Sequence, residues 1–380
     1  MTGLDIDALL GDPTTKVIVT CGSGGVGKTT TAAALGLRAA EQGRSVVVLT
    51  IDPARRLAQS LGLTVLDNTP REVEGILRGD RGRLFAMMLD MKRTFDDVVL
   101  AHSSAERAQS IFANPFYQSL SSSFAGTQEY MAMEKLSQLR QQMDDEQAPW
   151  DLIVVDTPPS RSALDFLDAP SRLGRFLDGR MIRLLTTPAR AGGKAYLKVM
   201  SASLALFSRL ITRILGSELL MDVAGFVSSL ETMFGGFRER AESTYQLLKA
   251  PGTAFLVVAA PEADALREAA FFVDRLAEEK MPLAGVILNR TRVTAVPLSA
   301  RAAENGADKL AGAHDRGRSL AEAALRVHAE LVQAAAADDR MGKRFTASQP
   351  SIPVIRVAAL PIDVHDAEGL RRIGDLLAAG

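Results

Sequence analysis

The chain has 380 residues, 47% of them hydrophobic, and a formal net charge of −1. That length supplies a core for one large α/β domain or two ordinary ones, and the near-neutral balance gives no bulk attraction for nucleic acid, so no nucleic-acid partner is expected. The single cysteine, Cys21, excludes an intramolecular disulfide framework and a cysteine-built zinc site, which fits a reducing, cytoplasmic compartment.

Residues MTGLDIDALLGDP carry acids and no basic region ahead of an apolar run, so no secretory signal is expected. No stretch reaches the ~18 uncharged apolar residues of a membrane helix. The most apolar region, Tyr196 to Val223, is broken by Lys198, Arg209, Arg213 and Glu218. Short β-branched runs then alternate with helical patterns: Lys16 to Cys21, Ser45 to Ile51, Leu84 to Leu89, Asp151 to Val155, Ala254 to Ala259, Leu283 to Asn289 and Pro353 to Ala358. That alternation predicts βαβ crossovers and a mostly parallel sheet covered by helices on both faces. Longer helical insertions, about 91–143, 171–249 and 300–344, exceed the single crossover helices that a minimal βαβ sheet needs. The last is Ala-rich and reads as surface helix with flexible loops around Asn305 and Asp338. No internal repeat is evident.

The segment Gly22-Ser23-Gly24-Gly25-Val26-Gly27-Lys28-Thr29 follows a predicted strand and opens the helical pattern TTTAAALGLRAAEQ that begins at Thr29 and Thr30. Glycines stand where main-chain N–H groups must crowd a phosphate, next to a Lys-Thr pair. In that context the loop cradles ATP or ADP phosphates, Lys28 neutralises their oxygens, and the Thr29 hydroxyl ligates Mg²⁺. Gly22-x-Gly24-x-x-Gly27 also satisfies the dinucleotide fingerprint, with Asp52 at the end of the next strand as a ribose acid. Asp151-Leu-Ile-Val-Val-Asp156 decides between them. It is a buried strand ending in a carboxylate, where a P-loop ATPase keeps the acid that holds Mg²⁺ through water, and a nicotinamide enzyme has no need of it.

GSGGVGKTTTAAALGLRAAEQGRSVVVLTIDPARRLAQSLG and VVDTPPSRSALDFLDAP together resemble the phosphate loop, switch I and switch II of the ArsA/GET-pathway family, the arsenite-pump and tail-anchored-protein-targeting ATPases. The chain is also similar to an actinobacterial branch of that family, the anion-transporting ATPases. AGTQEYMAMEKL, with Glu129, falls where the family carries an acidic segment. The resemblance implies a deviant-Walker P-loop ATPase over residues 1–380, with a helical subdomain inserted at about 91–143 and 171–249, working as a dimer. It also implies that Asp52 orients the attacking water and that switch II, Asp156 to Ser160, senses the γ-phosphate. Asp52 and Asp156 would both meet Mg²⁺ through water. Asn289 would read adenine, and Leu360 and Pro361, in VAALPIDVHDAEGL, would form the adenine-side loop. From the residues alone, Asp52 also fits the cap of the following helix, ahead of Pro53 at its first turn.

One departure concerns catalysis. The family's loop carries a lysine after its first glycine, which reaches the partner's phosphates across the dimer; here that position is Ser23. A serine brings no charge to the transition state, so a homodimer is expected to be slow, and a heterodimer with a lysine-bearing paralogue restores the charge. Other departures concern cargo. The cysteines that the family uses for metalloid and zinc are absent, and His102, His314, His328 and His365 show no ligand spacing. Met87, Met88, Met91, Met131 and Met133, with Phe112, Phe116, Phe124, Phe207 and Phe226, fit either a groove for a hydrophobic or membrane-protein client or ordinary core. Seven basic residues against one acid between Ser171 and Met200 fit a solvated face or peripheral contact with an anionic membrane.

Overall fold

The computed structural model describes residues 4–52, 56–76, 82–114, 117–118, 127–158, 242–312 and 315–380. Among these residues eight strands form one sheet: β1 (Val17–Cys21), β2 (Ser45–Thr50), β3 (Arg71–Glu72), β4 (Arg83–Met88), β5 (Leu152–Asp156), β6 (Thr253–Ala259), β7 (Leu283–Thr291) and β8 (Val354–Ala358). Their order across the sheet is β3-β4-β2-β5-β1-β6-β7-β8, and every pair is parallel except β3 with β4. The central strands β1, β5 and β6 are buried at every position, which is why their sequences are unbroken apolar runs rather than alternating ones. The described helices are α1 (Ile6–Gly11), α2 (Lys28–Glu41), α3 (Arg56–Ser60), α4 (Met91–His102), α5 (Ala105–Phe112), α6 (Thr127–Asp144), α7 (Ala263–Glu278), α8 (Ala300–Leu310), α9 (Arg316–Ser348) and α10 (Ala367–Ala379).

The chain divides into two compact units. One, Met1–Met88, Glu146–Ala163 and Leu248–Gly380, contains the whole sheet. Its core packs Leu35 and Leu37 of α2 against Ile18, Val46, Val48, Val154, Leu256 and Ile287 of the strands. A buried arginine ties its early segments together. Arg44 donates to Asp151 Oδ1 at 2.7 Å, to the Asp151 carbonyl at 2.9 Å, and to the carbonyls of Leu10, Asp12 and Thr15 at 2.9, 3.0 and 3.0 Å. On the outer face of α2, Arg38 pairs with Asp7 of α1 and Asp375 of α10, fastening both chain ends to one helix.

The other unit, Leu89–Asp145 and Leu164–Leu247, contains α4, α5 and α6 among its described residues. Asp90 caps α4 by accepting from the Arg93 N–H at 2.9 Å. Phe95 meets Tyr117 edge-on at 5.4 Å, and the Tyr117 hydroxyl donates to Asp96. Met131, Met133 and Leu136 of α6 are fully buried, as is Met87 of β4 in the first unit, so these methionines are core residues here.

Each strand expected from the sequence is present, with ends shifted by a residue or two. The two-residue edge strand β3 went unseen because it is too short and too exposed to carry a pattern. The expected loops around Asn305 and Asp338 are helix instead: Asn305 lies within α8 and Asp338 within α9. Flanking alanines carry the helix through Asn305, and Asp338 is buried against a partner on β7's exit described below. Of the 171–249 insertion only 242–249 are described. Phe116, Phe124, Phe207, Phe226, Pro53, Ser160, His314 and the basic stretch lie outside the described residues, as does the side chain of Glu129.

Candidate functional site

The loop from Gly22 to Gly27 joins the end of β1 to the start of α2, and two of its glycines are required by their surroundings. At Gly22 a Cβ would sit 2.0 Å from the Val258 carbonyl oxygen of β6, so no side chain fits. Gly27 has φ +97, and a Cβ there would meet Asn289 Nδ2 at 2.3 Å. Gly27 also stands at the N-cap of α2 without a side-chain cap, so no side chain covers the helix's first N–H groups. Gly24 and Gly25 are exposed, Val26 is buried beneath them, and Thr29 and Thr30 are partly exposed on the first turn. Ser23 is 9% exposed and its Oγ has no hydrogen-bond partner.

Lys28 folds back across the loop, its Nζ donating to the Ser23 carbonyl at 2.9 Å. Burial lowers the pKa of its ammonium, and the Asp156 carboxylate opposes that. Asp156 ends β5 beside the end of β1, in register with Thr20. It is fully buried; Oδ2 accepts from the Thr50 hydroxyl at 2.8 Å and Oδ1 has no partner. Burial pushes its carboxyl up to about 6, partly offset by the hydroxyls of Thr29 and Thr50 and the charge of Lys28. Asp52, just past β2, is partly exposed, and its N–H donates to Thr50 Oγ1 at 3.2 Å. Thr157 donates through Oγ1 to the Thr20 carbonyl at 2.8 Å, fixing the chain where it leaves β5.

Part of this group borders a cavity of about 930 Å³, enough for a nucleotide, whereas Ser23, Thr50, Asp156 and Thr157 do not line it. Gly24, Gly25, Gly27, Lys28, Thr29 and Thr30 line it together with Asp52, Asn289 and Leu360. Asn289 is 6% exposed and donates from Nδ2 to the Val26 carbonyl at 2.8 Å. Pro361 is exposed and does not line the cavity, whereas its neighbours Ile362, Asp363 and Val364 do. Sequence reasoning missed these, along with Gln59, Ser60 and Arg290. His365, read as a scattered histidine, lines the same cavity. The VAALPIDVHDAEGL segment carries the signal for the last group; nothing marks Gln59 or Ser60. Cys21 lies buried in β1 with its thiol pushed up to about 12 by burial, an unreactive group.

A mostly parallel sheet flanked by helices, with a glycine-rich turn between β1 and α2 and an aspartate ending the adjacent strand, is the fold of a P-loop NTPase. Within that class, the family model described as anion-transporting ATPase (ArsA ATPase) matches residues 15–296, and the chain belongs to this family. It is similar to the ATPase GET3 of Podospora anserina, 29% identical over 174 residues that are 45% of this chain and 48% of that protein. To the ATPase GET3A of Arabidopsis thaliana it is 26% identical over 286 residues, 75% of this chain and 69% of that protein. To the ATPase ASNA1 homolog of Cryptosporidium parvum it is 32% identical over 164 residues, 43% and 40% of the two chains. The match spans about half the length of the first of these relatives. Among the described residues no helix is long and apolar enough to cross a membrane.

Proposed function

We propose that this chain binds and hydrolyses Mg·ATP and couples the nucleotide state to handling of a hydrophobic or membrane-protein client. The observation that carries this reading is the buried, unpartnered Oδ1 of Asp156 beside Lys28 and Thr29. An anionic acceptor kept dry at the mouth of a glycine loop fits a hydrated divalent cation better than any purely structural role. Thr29 would hold Mg²⁺ directly, with Asp156 and Asp52 through water. Bound there, the ion supplies charge neutralisation for β and γ oxygens.

The remaining work belongs to the chain's own groups. Main-chain N–H groups from Gly24 to Thr29 grip the phosphates, while Lys28 adds a positive charge already held in place by the Ser23 carbonyl. Asp52 orients a water for in-line attack on the γ-phosphorus, the bond to the β–γ bridging oxygen breaks, and ADP and phosphate leave. Asn289 keeps its Oδ1 available to accept from an adenine amino group, since Nδ2 is held by Val26. Asp156, Thr157 and the segment after them relay loss of the γ-phosphate.

We place the active unit as a dimer, cytoplasmic and at most peripheral to a membrane, with the unit containing α4, α5 and α6 as part of a helical client-handling subdomain. The names of the similar GET3 and ASNA1 proteins support the ATPase reading. Ser23 favours a second form of it, in which this chain is the slow or regulatory half of a heterodimer with a lysine-bearing paralogue. Turnover measured on the chain alone, then mixed with such a paralogue, tests both. Absence of magnesium-dependent ATP affinity in the folded chain removes the proposal, and absence of a gain on mixing removes the heterodimer.

A further inference from the structure

A second cavity, about 230 Å³ in volume, lies beside the exit of β7 and is bounded also by α9, β8 and α10. Its chemistry is set by Asp338, the α9 residue that is 4% exposed. Oδ2 accepts from the Arg292 N–H at 2.8 Å and lies 3.2 Å from Arg292 Nε, whereas Oδ1 is buried with no hydrogen-bond partner. Taking a carboxylate out of water is costly unless donors meet both oxygens, and here only Oδ2 is met. Nearby cations are already engaged: Arg356 and Lys343 both contact Asp339, each at 2.7 Å. Ala335, Leu376 and Ala379 make much of the remaining wall apolar.

We propose that this cavity binds a primary alkylammonium group, which donates to Asp338 Oδ1 while its aliphatic stem lies along Ala335, Leu376 and Ala379. An ammonium supplies the donor that Oδ1 lacks, the countercharge being given already by the Arg292 guanidinium, and charge-assisted bonds are roughly twice as strong as neutral ones. The volume holds on the order of seven groups the size of a water molecule, enough for an ammonium on a four-carbon chain. Such a head comes from a free small amine or from a lysine side chain of another protein.

The site shares a wall with the nucleotide cavity. Ala358 lines both; Asn289 and Arg290 line the first, and the next residues, Thr291 and Arg292, line the second. Asp338 therefore anchors the chain at Arg292, three residues beyond Asn289, whose amide holds the glycine loop. A ligand that draws on Asp338 shifts that anchor, so occupancy of either cavity changes the affinity of the other. This coupling rests on the nucleotide reading above; the amine site does not.

Calorimetric titration of the full nucleotide-free chain with n-butylammonium chloride, with n-butanol and with an alanine peptide bearing one lysine tests the site. Saturable binding of the ammonium, none of the alcohol, and loss of binding in Ala335→Phe, which fills the cavity and leaves Asp338 intact, are expected. Asp338→Asn removes the response too; if that variant does not fold, Ala335→Phe carries the test alone. No saturable binding, equal binding of the alcohol, or retained binding in Ala335→Phe overturns the proposal. A peptide that binds more tightly than the free ammonium identifies a protein lysine as the source, and a weaker one identifies a small amine. Saturating ammonium is expected to move the Kd for Mg·ATP by at least about fivefold. An unchanged Kd eliminates the coupling, whereas absent ATP binding with intact amine binding refutes only the nucleotide reading.

Discussion

Asn289 donates its side-chain amide to the main-chain carbonyl of Val26, so the end of β7 is stitched to the glycine loop across two chain segments far apart in sequence. The bond occupies the space a Cβ at position 27 would take, and the loop's shape and the asparagine's orientation therefore depend on each other. Replacing Asn289 with Ala is expected to weaken ATP binding about tenfold, ~1.4 kcal/mol, by freeing the loop and deleting one base contact. Calorimetry on the folded variant checks it, and unaltered affinity would show that the stitch is only structural.

Position 23 offers a gain-of-function experiment. Ser23→Lys is expected to raise ATP turnover of the chain on its own at least about tenfold if it acts as the proposed dimer, because a trans-acting cation is worth far more than that in finger-type systems. Lys28→Ala is expected to abolish ATP retention in the same assay. Unchanged turnover in Ser23→Lys would count against the missing-charge explanation.

The Asp7–Arg38 pair sets a pH dependence. The Arg38 guanidinium holds the Asp7 carboxyl below its ordinary value, which means the folded state binds the proton less readily than the unfolded one. Its stabilisation is therefore complete above the ordinary carboxylate pKa of 3.8 and is lost as pH falls through the lowered folded value. Asp7→Asn is expected to cost under about 1 kcal/mol at pH 7, since the pair is part-exposed, and nothing at acid extremes. Urea midpoints of both proteins from pH 7 to pH 2.5 measure it; a constant difference across that range contradicts the assignment.

Arg44 supplies a larger effect. Its five hydrogen bonds join the segments around Leu10, Thr15 and Asp151, and truncation leaves buried carbonyls without donors. Arg44→Met is expected to destabilise the chain by about 2–4 kcal/mol with ATP affinity preserved at low temperature. Equilibrium unfolding reads the first and calorimetry the second.

What could be read from the sequence follows the range of its physical signals. Strands such as β1, β5 and β6 announce themselves because full burial demands uninterrupted apolar runs. The loop from Gly22 to Thr29 is recognisable because its backbone geometry restricts composition locally. Asn289 came only through family likeness: nothing in VILNR indicates that its amide reaches Val26. Asp338 was misread as loop because an aspartate in an alanine-rich run looks like solvated surface. Its carboxylate is buried by a contact with Arg292, 46 residues away, and periodicity does not report such a contact. Gln59 and Ser60 reach the nucleotide cavity for the same reason, through tertiary position alone.

The strand order carries a cost during synthesis. β1 precedes every other strand of the sheet in sequence, yet among the described residues its sheet neighbours are β5 and β6, and the first of these lies 135 residues further along the chain. Until the ribosome has delivered that segment, an apolar strand with open edges must wait in the nascent chain. Long-range parallel pairing of this kind slows closure of a central ladder and exposes strand edges to self-association, so refolding yield is expected to fall as protein concentration rises.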